Sequence, residues 1–344
     1  MMRKGIKMES TNEKTHGYVW IFLICLIAIF FISFFIGRYP VSIELLLKVF
    51  FSKIFPISKT WSDTIETIVF QIRLPRIVGA MLVGASLSVS GAVYQGMFKN
   101  PLVSPDILGA SAGSAFGAAL AIYLSFSIIG IQICSFIFGL IGVLLVYLIS
   151  TKVKEDPLIG LVITGVLVGS IFTSLTSLIK YIADTNDKLP TITFWLMGSL
   201  SSFSTRDIKA ILVPISIGII PLYILRWKLN VLSLDEDEAK TLGLNTGKIR
   251  AIVIICSTLM TAASVSVSGM IGWIGLVIPH LSRIIVGPDY RVLLPTTILL
   301  GSSYLLMIDN ISRTLLTVEI PLGILTSLMG APFFIFLLLK NKRS

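Results

Sequence analysis

Residues 226–250 read RWKLNVLSLDEDEAKTLGLNTGKIR, the one long, densely charged segment between apolar runs in this chain. Four successive acids, Asp235, Glu236, Asp237 and Glu238, are bracketed by Arg226, Lys228, Lys240, Lys248 and Arg250. Ser233 followed by Glu236 fits a capping box, in which each side chain satisfies an orphan backbone N–H at a helix start. Clustered acids in a first turn also suit the positive end of the helix dipole. Leu242-Gly243 reads as the stop, because glycine takes the left-handed conformation that ends a helix. The segment therefore predicts a short capped helix at the surface of a greasy protein. It is either a solvated loop between two spans or a lever on which a soluble partner pushes.

The flanks decide the class. Of 344 residues, 55% are hydrophobic and 13% charged, where a soluble domain carries about 25% charged residues. Mean hydropathy is +0.92. Apolar runs recur along the whole length, each able to cross a hydrocarbon core of about 30 Å. The expected fold class is all-α, a polytopic membrane protein of about ten transmembrane helices. The net charge of +10 is no nucleic-acid footprint, because the basic residues sit in loops between spans. Cys25, Cys134 and Cys256 lie in apolar runs at no metal-ligand spacing and read as small buried packing residues. His16 and His280 are too few for a metal site.

Outward from the charged island, the expected spans are 18–37, 75–97, 105–124, 128–150, 158–182 and 207–226 before it. After it come 251–268, 270–286, 292–311 and 320–339. The first reads as an uncleaved anchor rather than a signal peptide, being long and lacking a small-residue cleavage site. VSIELLLKVF, in the connection 38–62, suggests an amphipathic surface helix. ITFWLMGSL, within 183–205, is too short to span. Residues 1–17 and 341–344 are then cytoplasmic tails. Residues 18–340 form one permease-like domain, with a cytoplasmic segment at about 227–249. Lysines and arginines in the short loops put both termini and the charged island inside. ASLSVSGA at 85–92 also echoes ASVSVSGM at 263–270, an offset of 178 that carries Pro101 onto Pro279. Copies separated by about five spans have opposite orientation, the mark of an inverted repeat.

Chemistry-bearing residues are sparse in the spans. Gly and Ser are dense at 79–91, 109–117 and 264–275, which serves close helix packing or a path lined by small, weakly polar side chains. Gly84, Ser88, Gly91, Gly109, Ser111 and Gly113 are the path candidates. Asp309 and Arg313 are spaced i, i+4 near a span end, where a helix-face salt bridge is the plain account. Arg73 and Arg76 flank Pro75 at the start of a span, as snorkelling anchors or as a cluster facing acidic groups of an external partner.

Residues 71–118, QIRLPRIVGAMLVGASLSVSGAVYQGMFKNPLVSPDILGASAGSAFGA, resemble the signature region of ABC importer permeases for ferric siderophores, haem and cobalamin. GMIGWIGLVIPHLSRIIVGPDYRVLLP at 269–295 and EIPLGILTSLMGAPFFIFLLLK at 319–340 resemble their second and closing signatures. EAKTLGLNTGKIR is similar to their ATPase-coupling loop. The resemblance implies a homodimer, or a pair with a close paralogue, whose path follows the two-fold axis in the cytoplasmic membrane. It implies two cytoplasmic ATPase subunits and an extracytoplasmic substrate-binding protein. Arg73, Arg76 and Arg313 are implied to lie on the outer face and meet glutamates of that binding protein. Asp235, Glu238, Ala239, Leu242, Gly243 and Leu244 are implied to dock on the ATPase, with Gly287 and Arg291 nearby. No cofactor is implied on this chain, with ATP held by the partner subunit. Ferric siderophore is the cargo implied first, then cobalamin, haem or molybdate. An ion-coupled secondary transporter would want intramembrane acids at mid-depth, and an intramembrane enzyme would want acid pairs, histidines or a metal constellation. Asp309 alone is poor support for either.

Overall fold

The computed structural model describes residues 2–341 apart from 38, 54, 56, 57, 60, 154–156 and 235. Among these the chain is helical without strands: α1 (Met2–Ser33), α2 (Ile43–Phe51), α3 (Asp63–Thr67), α4 (Leu74–Met97), α5 (Ala110–Tyr123), α6 (Ile128–Ser150), α7 (Pro157–Ile182) and α8 (Lys188–Leu196) come first. They are followed by α9 (Thr205–Ile224), α10 (Arg226–Leu232), α11 (Glu236–Thr241), α12 (Thr246–Ser268), α13 (Ile274–Val286), α14 (Tyr290–Thr314) and α15 (Leu322–Asn341). Among the described residues six helices are long and apolar enough to cross a membrane, and four shorter apolar helices accompany them. Each coincides with one of the ten expected spans. α2 lays Leu46 and Val49 inward and exposes Glu44 and Lys48 together with Ile43, Leu47 and Phe51, and α8, at nine residues, is too short to cross.

The second span differs from expectation. It starts at Asp63 rather than Pro75, and a π-helical turn over Ile68–Arg73 makes Asp63–Met97 one continuous 35-residue rod. Pro75 has no N–H to donate, and its ring crowds the carbonyl a turn earlier. Widening the ladder to i→i−5 at that point absorbs the conflict. Arg73 and Arg76 consequently sit inside the helix, not at its exposed start.

α4 is the central post, packed against α14, α12, α13 and α9. Its contact faces explain the small-residue pattern. A Cβ on Gly91 would stand 1.7 Å from the Gly275 carbonyl oxygen, and one on Gly84 would stand 2.3 Å from that of Gly301. Gly84, Ser88 and Gly91 are buried inside the subunit against α13 and α14. Within this subunit they are packing positions.

Two of the short helices are half-length. α5 and α13, of 14 and 13 residues, reach only about 20 Å at 1.5 Å per residue. Both open on a left-handed cap, Gly109 at φ +78° and Trp273 at φ +70°. Ser86 and Ser264, partners at the 178-residue offset, touch through their hydroxyls where α4 crosses α12. Elements related by a two-fold meet their own counterparts at the axis, so the contact and the matched caps mark an inverted repeat. Pro101 and Pro279 do not share in it, since Pro101 lies in a turn and Pro279 inside α13. Cys256 is buried as expected, whereas Cys25 is on the outward side of α1.

Candidate functional site

Three places gather polar side chains: the charged island at one end of the bundle, an ion network at the other, and a cleft in the wall between them.

At the island end the polypeptide makes two short helices rather than one. Ser233 does not start a helix. It ends α10, and its hydroxyl donates to the Leu229 carbonyl at 3.0 Å, so the expected capping box is not formed. The reason is the preceding RWKLNVL, whose Leu229, Val231 and Leu232 bury against the bundle and carry the helix up to residue 232. Asp235 lies outside the described residues. α11 ends as the sequence predicts, with Gly243 at φ +75° and its N–H on the Lys240 carbonyl. Glu236 is held by Lys240 and Arg250, both at 3.0 Å, and hydrogen bonds from these two cations lower its pKa. Glu238, Leu242 and Gly243 face outward, Leu242 being 59% exposed, and Leu244 is half-buried. Ala239 is buried, contrary to its place among the expected contact residues, because it is the foot by which the six-residue helix α11 rests on the bundle.

Beside this lever the turn from α13 to α14 carries Gly287 at φ +81°, Asp289 and the exposed Arg291. Asp289 caps α14 by accepting from the Arg291 N–H, and its carboxylate takes the Arg291 guanidinium at 2.7 Å. Desolvation pushes its pKa up, but hydrogen bonds from Arg291 and Asn230 outweigh that and hold it down at about 2. An open cleft of about 530 Å³ lies between lever, turn and the end of α4, lined by Lys99, Asn230, Ser233, Arg283 and Asp289 among others.

At the opposite end Arg76 grips two acids. Its Nε lies 2.9 Å from Asp309 Oδ1, and its Nη1 and Nη2 each donate to one Glu319 oxygen at 2.9 Å. Arg313 Nε is 3.2 Å from Asp309 Oδ2, the i, i+4 pair expected on α14. Arg73 donates to the carbonyls of Phe34 and Tyr39. All three arginines are buried, at 4–7% exposure, so they do not stand free on an outer face. Long guanidinium side chains inside the bundle need partners, and Asp309, Glu319 and two carbonyls supply them. Three cations against two carboxylates leave one positive charge in excess, and Arg313 borders an open cleft with Gly37 and residues 314–317. Glu319 was missed in the sequence. Its distance of 243 residues from Arg76 hides the pair.

The wall cleft, about 430 Å³, lies where helices are interrupted. It is lined by Asp106 from the 3-10 turn before α5, by Ser111, by Thr173, Ser177 and Lys180 of α7, and by the non-helical residues 270–272. Non-helical backbone at membrane depth is tolerated where it borders a cavity or packs in protein. Of the expected path residues, only Ser111 reaches this cleft. Gly113 packs on the Phe138 carbonyl of α6, and Gly109 is the buried cap of α5. The exposed hydroxyls of Ser170, Thr173, Ser174 and Ser177 on α7 were legible as a helical-period polar stripe in an aliphatic run.

The sequence model of a family described as the FecCD transport family matches residues 25–340. The chain is 44% identical over 313 residues to the molybdate import system permease protein MolB of Haemophilus influenzae, covering 91% of this chain and 92% of that one. It is 41% identical over 277 residues to the cobalamin import system permease protein BtuC of Halobacterium salinarum, covering 80% and 74% respectively. A solved structure described as the inward-facing conformation of a candidate metal-chelate type ABC transporter superposes with a TM-score of 0.85 at 41% identity, over 94% of this chain and 99% of that one.

Proposed function

The chain belongs to the FecCD transport family, and from that premise we propose that it is one half of the membrane path of an ATP-driven importer for a metal chelate of the ferric-siderophore kind. The chain is a transport component that spans the membrane. In this reading two copies, or this chain and a close paralogue, enclose the path. The hydroxyl stripe of α7 and the wall cleft turn toward it. ATP is bound and hydrolysed by two separate cytoplasmic subunits that press on α11, through Glu238, Leu242 and Gly243, and on the Arg291 turn. That places the lever end and both termini in the cytoplasm. The arginine-rich end then meets an extracytoplasmic binding protein, with Arg313 at its open cleft and Arg73 and Arg76 supplying positive field from below. Nucleotide-driven closure of the ATPases rocks helices around the axis and switches which side is open.

The observation that carries this reading is the outward-facing lever, an exposed Leu242 on a glycine-stopped helix with acids beside it. Such a knob has little use in a protein that works without a soluble partner. A second cargo, molybdate, is favoured by the 44% identity to MolB over nearly the whole chain. Uptake separates the two. In proteoliposomes carrying the full complex and its binding protein, iron-55 ferric hydroxamate accumulates with ATP and labelled molybdate does not. The reverse result makes molybdate the cargo, and accumulation of neither under ATP removes both of these cargoes.

A further inference from the structure

The lever needs a rigid connection to the membrane helices if a push on it is to move them, and apolar contact alone lets a short helix slide. α10 carries one side chain that fixes direction as well as distance. The Asn230 amide donates from Nδ2 to Asp289 Oδ1 at 2.7 Å, and its Oδ1 accepts the Tyr290 backbone N–H at 2.8 Å. Donor and acceptor of one planar group are thus both spent on the first residues of α14. That end of α14 is itself pinned. The Tyr290 hydroxyl donates to the Ala92 carbonyl of α4 at 2.7 Å, and Arg283 of α13 reaches the same carbonyl at 2.9 Å. From there α14, 25 residues long, carries Asp309 and Arg313 of the ion network near its other end. At 1.5 Å per residue it spans about 37 Å.

We propose that Asn230 is the positioning residue of coupling, a two-bond clasp that locks the lever onto α14 and makes that helix the rod linking both ends of the molecule. The inference rests on the reading that ATPase subunits push the lever, and it adds the atoms through which the push passes.

Geometry supplies a strict test. In Asn230→Asp a carboxylate faces the Asp289 carboxylate, with no donor between them. In the swap Asn230→Asp with Asp289→Asn, the new amide donates to the new carboxylate and the Tyr290 N–H still finds an oxygen, so the clasp re-forms with its polarity reversed. Asn caps a helix as well as Asp, and the lost Arg291 pair is exposed and weak. The readout requires no cargo. In the assembled complex, with Cys25, Cys134 and Cys256 replaced by serine, Leu316→Cys at the far end reports by its maleimide labelling rate with and without ATP and vanadate. The expected result is an ATP-dependent change in the parent, its loss in Asn230→Asp, and its return in the swap. A parent that shows no change removes the coupling reading itself. A normal change in Asn230→Asp, or an assembled swap that stays silent, overturns the clasp while leaving the coupling reading in place.

Discussion

Asp309 is the most enclosed charge in the ion network, its side chain fully buried between Arg76 and Arg313. Removing one member of a buried pair leaves the other uncompensated, at a cost of about 3–5 kcal/mol. Glu319 grips the same arginine, but its side chain is 30% exposed, and water can take over from it. Asp309→Asn is therefore expected to lower the melting temperature in detergent markedly, and Glu319→Gln only slightly, by up to about 1 kcal/mol. Equal losses would mean that Asp309 is not the hub. The same burial makes charge reversal at Arg73 a poor probe of docking, because it would bury a carboxylate against two carbonyls. At this scale the sequence singled out the three arginines and Asp309, passed over Glu319 and Asn230, and hid what each of them touches. Arg76 and Glu319, or Asn230 and Asp289, are far apart along the chain, and the i, i+4 pair Asp309–Arg313 was the one contact its spacing could reveal.

Among the helices, sequence was a better guide, because the apolar period and length of a span are local properties. Each of the ten expected segments overlaps an apolar helix, although the second helix begins at Asp63 rather than Pro75, and α5 and α13 begin at Ala110 and Ile274, inside their expected bounds. What escaped was context. Pro75 reads as a helix start, yet a π turn carries the helix through it. Ser233 reads as an N-cap, yet the apolar side of α10 recruits it as the end of the preceding helix. Small residues on α4 read as packing first and as path second, and the carbonyls of Gly275 and Gly301 lie where packing needs them. Gly91→Ala is accordingly expected to destabilise by about 1–3 kcal/mol or to force α13 away from α4. Gly169→Ala, where a Cβ meets nothing within 4 Å, should leave stability unchanged or raise it by up to about 1 kcal/mol. Thermal unfolding of the two variants, followed by scanning fluorimetry, checks the contrast. Similar losses in both would show that the α4–α13 approach is not what holds these helices together.

Viewed whole, the helices are arranged as a post and a rod. α4 is the post, α14 the rod, and the two polar ends are tied to its extremities. The wall cleft between them mixes hydroxyls, Asp106 and Lys180 with apolar side chains such as Leu196, Met270 and Ile271. The central claim is that the driving force comes from outside this chain, through the lever. It is tested most directly by solute uptake into proteoliposomes with and without the ATPase subunits. ATP-dependent accumulation that vanishes when those subunits are omitted, and that ignores an imposed proton or sodium gradient, is the predicted result. Accumulation by this chain alone, driven by such a gradient, would contradict the account.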